Sequence, residues 1–211
     1  MKQPIYPISI EPLLDYFNKL IPLSEHDQEL VKNKFHPRLY RKRQFVLQEG
    51  DVCTQLNFVV RGCLRMYKVD EKGNIHILQF ASENNLPAAR WINDLGSFHG
   101  LKPSTLNIDT LEDTVVFQIS LDDLIFLYTE GTLFDRIFRV LVENSLVRLQ
   151  ERLLQNISST AEERYESFLE QYPHMVNRLS QVQIAAYLGV TPEFLSRLRN
   201  LRSRAADPLK P

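Results

Sequence analysis

Three textures of apolar and polar residues succeed one another along the chain. From about Ile8 to Phe35 apolar residues recur at helical spacing, with Leu13, Leu14, Phe17 and Leu20 in register, which predicts helix. From Arg38 to about Ile119 the pattern shortens to β-type runs at Phe45–Leu47, Leu56–Val60, Leu64–Val69, Ile75–Phe80 and Val115–Ile119. Turn signals separate them: Glu49-Gly50-Asp51, Arg61-Gly62, and Asp70-Glu71-Lys72-Gly73-Asn74, the last with the composition of a hairpin loop. Several short strands with regular turns predict a sandwich or small barrel. The third texture is one long helix from about Thr132 to Ile157, a stretch free of Gly and Pro.

Within that helix Leu133, Ile137, Val140, Asn144, Val147, Glu151 and Leu154 fall at alternating 4,3 spacing, the seam of a coiled coil, while Leu146, Leu149, Leu153 and Ile157 mark a second face. A helix apolar on two faces is expected to bury one against its own domain and the other against a second subunit. A single amphipathic helix inside a monomer is the alternative. Ser159-Thr160 ends the helix, and either Ser159 with Glu162 or Thr160 with Glu163 can form a capping box. The next helix, about Ala161 to Gln171, stops before Tyr172-Pro173. The hinge near residue 159 is the expected boundary, which divides the chain into 1–131, 132–158 and 159–211.

The densest local signal is LSQVQIAAYLGVTPEFLSRLRNLR, from Leu179 to Arg202. A helix-turn-helix needs two short helices meeting through a tight turn. Ala185 is small where the helices approach, Gly189 sits at the turn, and Val190 fills the space beneath it. Ile184, Leu188, Leu195 and Leu198 form a shared core at helical spacing, Thr191 is a good N-cap, and Pro192 falls at the first helical position. Glu193, Ser196, Arg197 and Asn200 then face away from the core. Side chains of these types can reach base edges: Arg donates twice to guanine, Glu accepts from cytosine, and Asn pairs with adenine. Arg199, Arg202 and Arg204 lie where they can contact phosphates without regard to sequence. The alternative is an ordinary helical hairpin with a solvated basic face.

Charge sharpens this picture. Overall 25 Lys+Arg nearly balance 26 Asp+Glu, which excludes a wholly basic nucleic-acid coat. From Val190 onward, however, Arg197, Arg199, Arg202, Arg204 and Lys210 face only Glu193 and Asp207, so the basic excess sits on the helix-turn-helix. The composition, 44% hydrophobic and 24% charged, is that of a globular protein. No apolar run approaches the ~18 residues of a membrane span, and MKQPIYPISIEPLL lacks the apolar region of a signal peptide. A soluble cytoplasmic protein is expected. Cys53 and Cys63 fit no disulfide framework, redox pair or metal site and are expected as reduced thiols.

Taken together, FVLQEGD (Phe45–Asp51), LNFVVRGCLRMYKVDEKGNIHILQF (Leu56–Phe80), IDTLEDTVVFQIS (Ile108–Ser120) and the helix-turn-helix resemble the Crp–Fnr transcription regulators over about residues 10 to 202. RYESFLEQYP (Arg164–Pro173) and TPEFLSR (Thr191–Arg197) are similar to the subgroup widespread in Bacteroidetes. The resemblance implies an α+β chain: an N-terminal double-stranded β-helix or jelly-roll of the cyclic nucleotide-binding kind over 1–131, a dimerisation helix over 132–158, and a C-terminal winged helix-turn-helix over 159–211. It implies a homodimer on a palindromic operator in double-stranded DNA, with RNA polymerase as a partner and a small effector. Base reading by the family's Glu and Arg maps onto Glu193 and Arg197, with Pro192 where the family has another Arg. Thr191, Pro192, Glu193, Ser196, Arg197, Arg199, Asn200 and Arg202 are the expected DNA-binding residues.

The resemblance fails where the family binds its nucleotide. Cyclic-nucleotide binders use a Gly-Glu pair for the ribose and an Arg-Ser or Arg-Thr pair for the phosphate. Ser82 to Ile108, SENNLPAARWINDLGSFHGLKPSTLNI, has no Gly-Glu, and the Arg position falls at about Pro103, followed by Ser104. Lys102 and Arg90 are the cations left to substitute. Loss of both charge-assisted contacts predicts a roll that does not bind cyclic AMP specifically. No cofactor or metal is expected, since His26, His36, His76, His99 and His174 show no paired ligand spacing. Two other readings are a ligand-binding module acting through a protein partner, and a cupin-like enzyme. G-x-S-x-G, P-loop and H-E-x-x-H motifs are lacking, which argues against an enzyme.

Overall fold

The computed structural model describes residues 8–83 and 90–206, the last five of these by backbone alone. The chain forms two compact units, Met1–Met66 with Phe80–Leu146, and Tyr67–Gln79 with Val147–Pro211.

In the first unit, α1 (Glu11–Leu20) carries Pro12 in its first turn and buries Leu13, Leu14, Tyr16 and Phe17. The helical stretch does not run unbroken to Phe35. Pro22 disfavours helix at Ile21, which is extended, and Ser24 then caps α2 (Glu25–Lys34) in a reciprocal box with Asp27. Among the described residues eight strands follow: β1 (His36–Tyr40), β2 (Phe45–Leu47), β3 (Gln55–Arg61), β4 (Cys63–Val69), β5 (Ile75–Ser82), β6 (Trp91–Ile92), β7 (Asn107–Thr110) and β8 (Thr114–Ser120). They form two four-stranded sheets, ordered β1-β8-β3-β6 and β2-β7-β4-β5. This is the expected α+β class, a double-sheet roll followed by helices. The five apolar runs became β2, β3, β4, β5 and β8. The other three carry no such run: β1 contains Pro37, β6 has two residues, and β7 buries the polar Asn107, Asp109 and Thr110.

Register explains the two faces of the first sheet. Phe58 lies opposite Phe117 on one side and Trp91 on the other. The Phe58 and Trp91 rings join Tyr16, Phe17, Phe35 and Phe138 in one aromatic cluster. The adjacent pair, Asn57 opposite Gln118, belongs to the other face, where Gln118 Nε2 donates to Asn57 Oδ1 (2.7 Å) and to the Tyr40 hydroxyl (3.0 Å). In the second sheet Arg65 makes a two-pronged ion pair with Asp109 across β4 and β7 (2.7 and 2.8 Å).

Two short helices complete the unit, α3 (Leu95–Gly100) capped by Asp94 and α4 (Leu121–Thr129) capped by Ser120. The long helix α5 (Thr132–Ser158) begins by burying Phe134, Ile137, Phe138 and Leu141 in the same core. This corrects the expected seam at its start: Ile137 is wholly buried in its own unit, and Leu133 packs against that core. Farther along, Val142, Leu146, Val147, Leu149, Leu153, Leu154 and Ile157 are each half or more exposed.

The second unit holds the tip of the β4–β5 hairpin, the rest of α5, α6 (Ala161–Gln171), α7 (Gln181–Leu188) and α8 (Pro192–Ala206). At the hairpin tip the Asp70 carboxylate accepts from His76 Nε2, from Asn74 Nδ2 and N, and from Lys72 N, which holds its pKa well below the usual carboxylate range. Thr160, rather than Ser159, caps α6 in a box with Glu163. Among the described residues no strand follows β8, so the wing expected after the helix-turn-helix is not seen in them. No described helix is long and apolar enough to cross a membrane.

Candidate nucleic-acid interface

Helix α7 opens on Ser180, whose hydroxyl accepts from Gln183 N while the Gln183 side chain accepts from Ser180 N. It ends at Gly189, whose φ of +70° is a left-handed conformation costly for residues with a Cβ. Both Gly189 N and Val190 N donate to Ala185 O, which closes the turn. Thr191 then caps α8: its Oγ1 accepts from Phe194 N (3.2 Å), and its carbonyl accepts from Leu195 N. Pro192, lacking an N–H, opens the helix where no donor is needed.

Ile184, Ala185, Leu188, Leu195 and Leu198 are all buried, so the shared core forms from the expected residues. On α8 the opposite arc is exposed at Glu193, Arg197 and Asn200, while Pro192, Ser196 and Arg199 are half-buried at its margins. Thr191 is exposed at the turn. The Arg202 and Arg204 side chains, with Asp207 and Lys210, lie outside the described residues. Phe194 is also exposed, at 36%, and the apolar pattern did not single it out.

Two arginines near this hairpin are structural. Arg164 Nη1 donates to Ser159 O (2.8 Å) and its Nε to Leu188 O (3.2 Å), tying the start of α6 to the end of α7. Arg152 donates to the carbonyls of Ile77 (2.7 Å), Leu78 and Tyr187 (3.1 Å), and its guanidinium stacks 3.8 Å from the Tyr187 ring. Sequence gave no hint of this role, because in α5 Arg152 is one cation among several. Beneath it Tyr172 is buried beside Tyr187 and Phe168, and burial pushes its hydroxyl pKa well above the tyrosine range.

In the roll, the described stretch from Asp94 to Ser104 bonds to itself and to the turn at Gly50–Cys53. Asp94 Oδ1 accepts from Ser97 N (3.1 Å) and its Oδ2 from the Ser104 hydroxyl (2.7 Å). The Ser97 hydroxyl donates to Lys102 O and accepts from Cys53 N. Ser104 exchanges backbone bonds with Gly50 and Asp51, and Pro103 bridges to Val52. Of the two substitute cations, Arg90 donates to Val59 O with its guanidinium 4.3 Å from the Phe58 ring, and Lys102 is exposed. Residues 84–89 of the segment lie outside the described residues. Neither cysteine is in a disulfide, both are buried, and burial pushes the Cys53 thiol up. Among the described residues no cluster of His, Cys, Asp or Glu could hold a metal.

Residues 37–130 match the cyclic nucleotide-binding domain. No curated protein matches the sequence. Among solved structures, FixK2 from Bradyrhizobium japonicum superposes with a TM-score of 0.68 at 21% identity, over 83% of this chain and 86% of that one. The global regulator CLP of Xanthomonas campestris, described as c-di-GMP responsive, gives 0.65 at 17% over 86% and 92%. A Crp/Fnr-family transcriptional regulator from Eubacterium rectale gives 0.64 at 17% over 92% and 88%. Residues 37–130 are therefore similar to the cyclic nucleotide-binding domain, and the chain as a whole shares the fold of these solved Crp/Fnr regulators.

Proposed function

We propose that the chain is a sequence-specific, DNA-binding transcription regulator. The carrying observation is α8 itself: Glu193, Arg197 and Asn200 stand exposed on the arc opposite Leu195 and Leu198, behind a turn closed by Gly189 and capped by Thr191. In a major groove these groups match base edges, and Arg199 and Arg202 extend the contact to phosphates. Residues 159–211 are assigned to DNA, 132–158 to dimerisation and 1–131 to sensing. The test is recovery of bound duplexes from a random library, followed by Arg197→Ala. The substitution should cost about 1–3 kcal/mol on the recovered sequence and relax preference at one base pair per half-site. Equal weakening on specific and random DNA would make α8 a phosphate clamp instead.

The bare second half of α5 supports a homodimer. A contiguous exposed apolar stripe on a helix marks an association surface, and a two-fold dimer would present two reading helices to a palindrome. Asp at Val147 and Leu154 should yield monomers by sedimentation that bind the recovered duplex at least tenfold more weakly. The sensor reading follows from the closed segment. Among the described residues Asp94, Ser97 and Ser104 satisfy one another and the backbone, and the sequence from Ser82 to Ile108 holds no Gly-Glu and no Arg-Ser or Arg-Thr pair, which supports a roll that does not take cyclic AMP.

A further inference from the structure

Phe194 stands in the first turn of α8 yet is no part of the core. It is 36% exposed, whereas its neighbour Leu195 is wholly buried. Its N–H is fixed by the Thr191 cap, so its place on the helix is set by the turn. One turn on, the Arg197 guanidinium lies 5.9 Å from the Phe194 ring centroid, inside the ~6 Å reach of a cation–π contact. At 3.6 residues per turn Phe194 sits about 60° around the helix from Arg197, on the flank of the reading arc. Leu201, also exposed, lies on the same flank two turns later.

The part of the Phe194 ring that remains exposed lies in the first turn beside Glu193 and within reach of the Arg197 guanidinium. The neighbouring groups Glu193 and Arg197 bear hydrogen-bonding chemistry suited to base edges. An apolar ring placed among them has one apolar counterpart in the major groove, the 5-methyl group of thymine, because the other base edges there present donors and acceptors.

We propose that Phe194 reads a thymine through its 5-methyl group, at the base pair adjoining the one that Arg197 addresses. This rests on the DNA-binding reading above. The ring plays two parts: it buries the methyl group, and it restrains the Arg197 guanidinium beside it.

The test starts from a duplex recovered with the full-length protein from a random library. Each thymine is replaced singly by deoxyuridine, which keeps every hydrogen-bonding group and removes only the methyl. Wild-type protein should lose about fourfold in affinity per half-site at one symmetric position, the equivalent of ~0.8 kcal/mol for one methyl group, and nothing elsewhere. Phe194→Ala should bind more weakly and be indifferent to the replacement, while Phe194→Leu, which keeps most of the packing, should retain part of the discrimination. Wild-type protein that binds every deoxyuridine duplex as tightly as the parent overturns the proposal, as does Phe194→Ala protein that still discriminates. If Arg197→Ala relaxes base preference while deoxyuridine has no effect, the DNA-binding reading stands and this inference alone falls. If no duplex is recovered, the DNA-binding reading fails and takes the inference with it.

Discussion

The segment from Asp94 to Ser104 and the hairpin from Ser180 to Asn200 are built from the same local devices and use them in opposite ways. Each begins a helix with a side-chain cap, Asp94 in one and Ser180 and Thr191 in the other. In the roll, however, the capping carboxylate goes on to take the Ser104 hydroxyl, and Ser97 takes Cys53 N and gives to Lys102 O, so the polar groups are used up internally. In the hairpin the caps only set the helix. Fixing α8 costs none of its long polar side chains, and Glu193, Arg197 and Asn200 remain exposed. Polar residues that close on one another make a shape, while polar residues held out by a buried apolar face stay open to a partner.

Leu195→Ala should break this comparison most severely. Leu195 is wholly buried, and its truncation should cost about 2–5 kcal/mol. The C-terminal unit should melt earlier and DNA binding should disappear, while Trp91, the chain's single tryptophan and a member of the roll's aromatic cluster, should report an unchanged transition. A joint shift of both transitions would mean that the two regions do not hold themselves independently.

Asp94→Ala attacks the other side of the comparison. Loss of the α3 cap and of the Ser104 bond should cost about 1–2 kcal/mol. This should appear in the Trp91 signal, with base preference on the recovered duplex unchanged. Calorimetry with cyclic AMP at physiological salt should give no stoichiometric heat in the wild-type protein or in this variant. A submillimolar signal would show that the closed segment opens for a nucleotide.

The smallest effect concerns Asp123, whose carboxyl is held below its usual range by Lys34 Nζ at 2.9 Å and by the Ser120 hydroxyl. A depressed carboxyl adds stability above its unfolded pKa near 4, and that stability is lost as the pH falls through the folded value. Because both partners are about a quarter exposed, Asp123→Asn should cost under about 1 kcal/mol at pH 7, and the gap from wild type should close on acidification. A gap that persists at low pH would assign the effect to the cap alone.

Much of this molecule was legible from its residues because the relevant forces are local. The turn at Gly189, the cap at Thr191, Pro192 at the first helical position and the spacing of Ile184, Leu188, Leu195 and Leu198 all act within some twenty residues. The exposed arc of α8 followed from that spacing alone. The same holds for the longer strands and for the hairpin loop at Asp70–Asn74. Tertiary structure decided what depends on distant partners. It buried Ile137 in the roll's own core and left the later apolar residues of α5 bare, because only the first turns of that helix meet the aromatic cluster. It also fixed the Asp94–Ser104 pair and the Arg152 contacts with Ile77, Leu78 and Tyr187. Periodicity along one helix or strand states which face is apolar, but what covers that face is settled by segments far away in the chain.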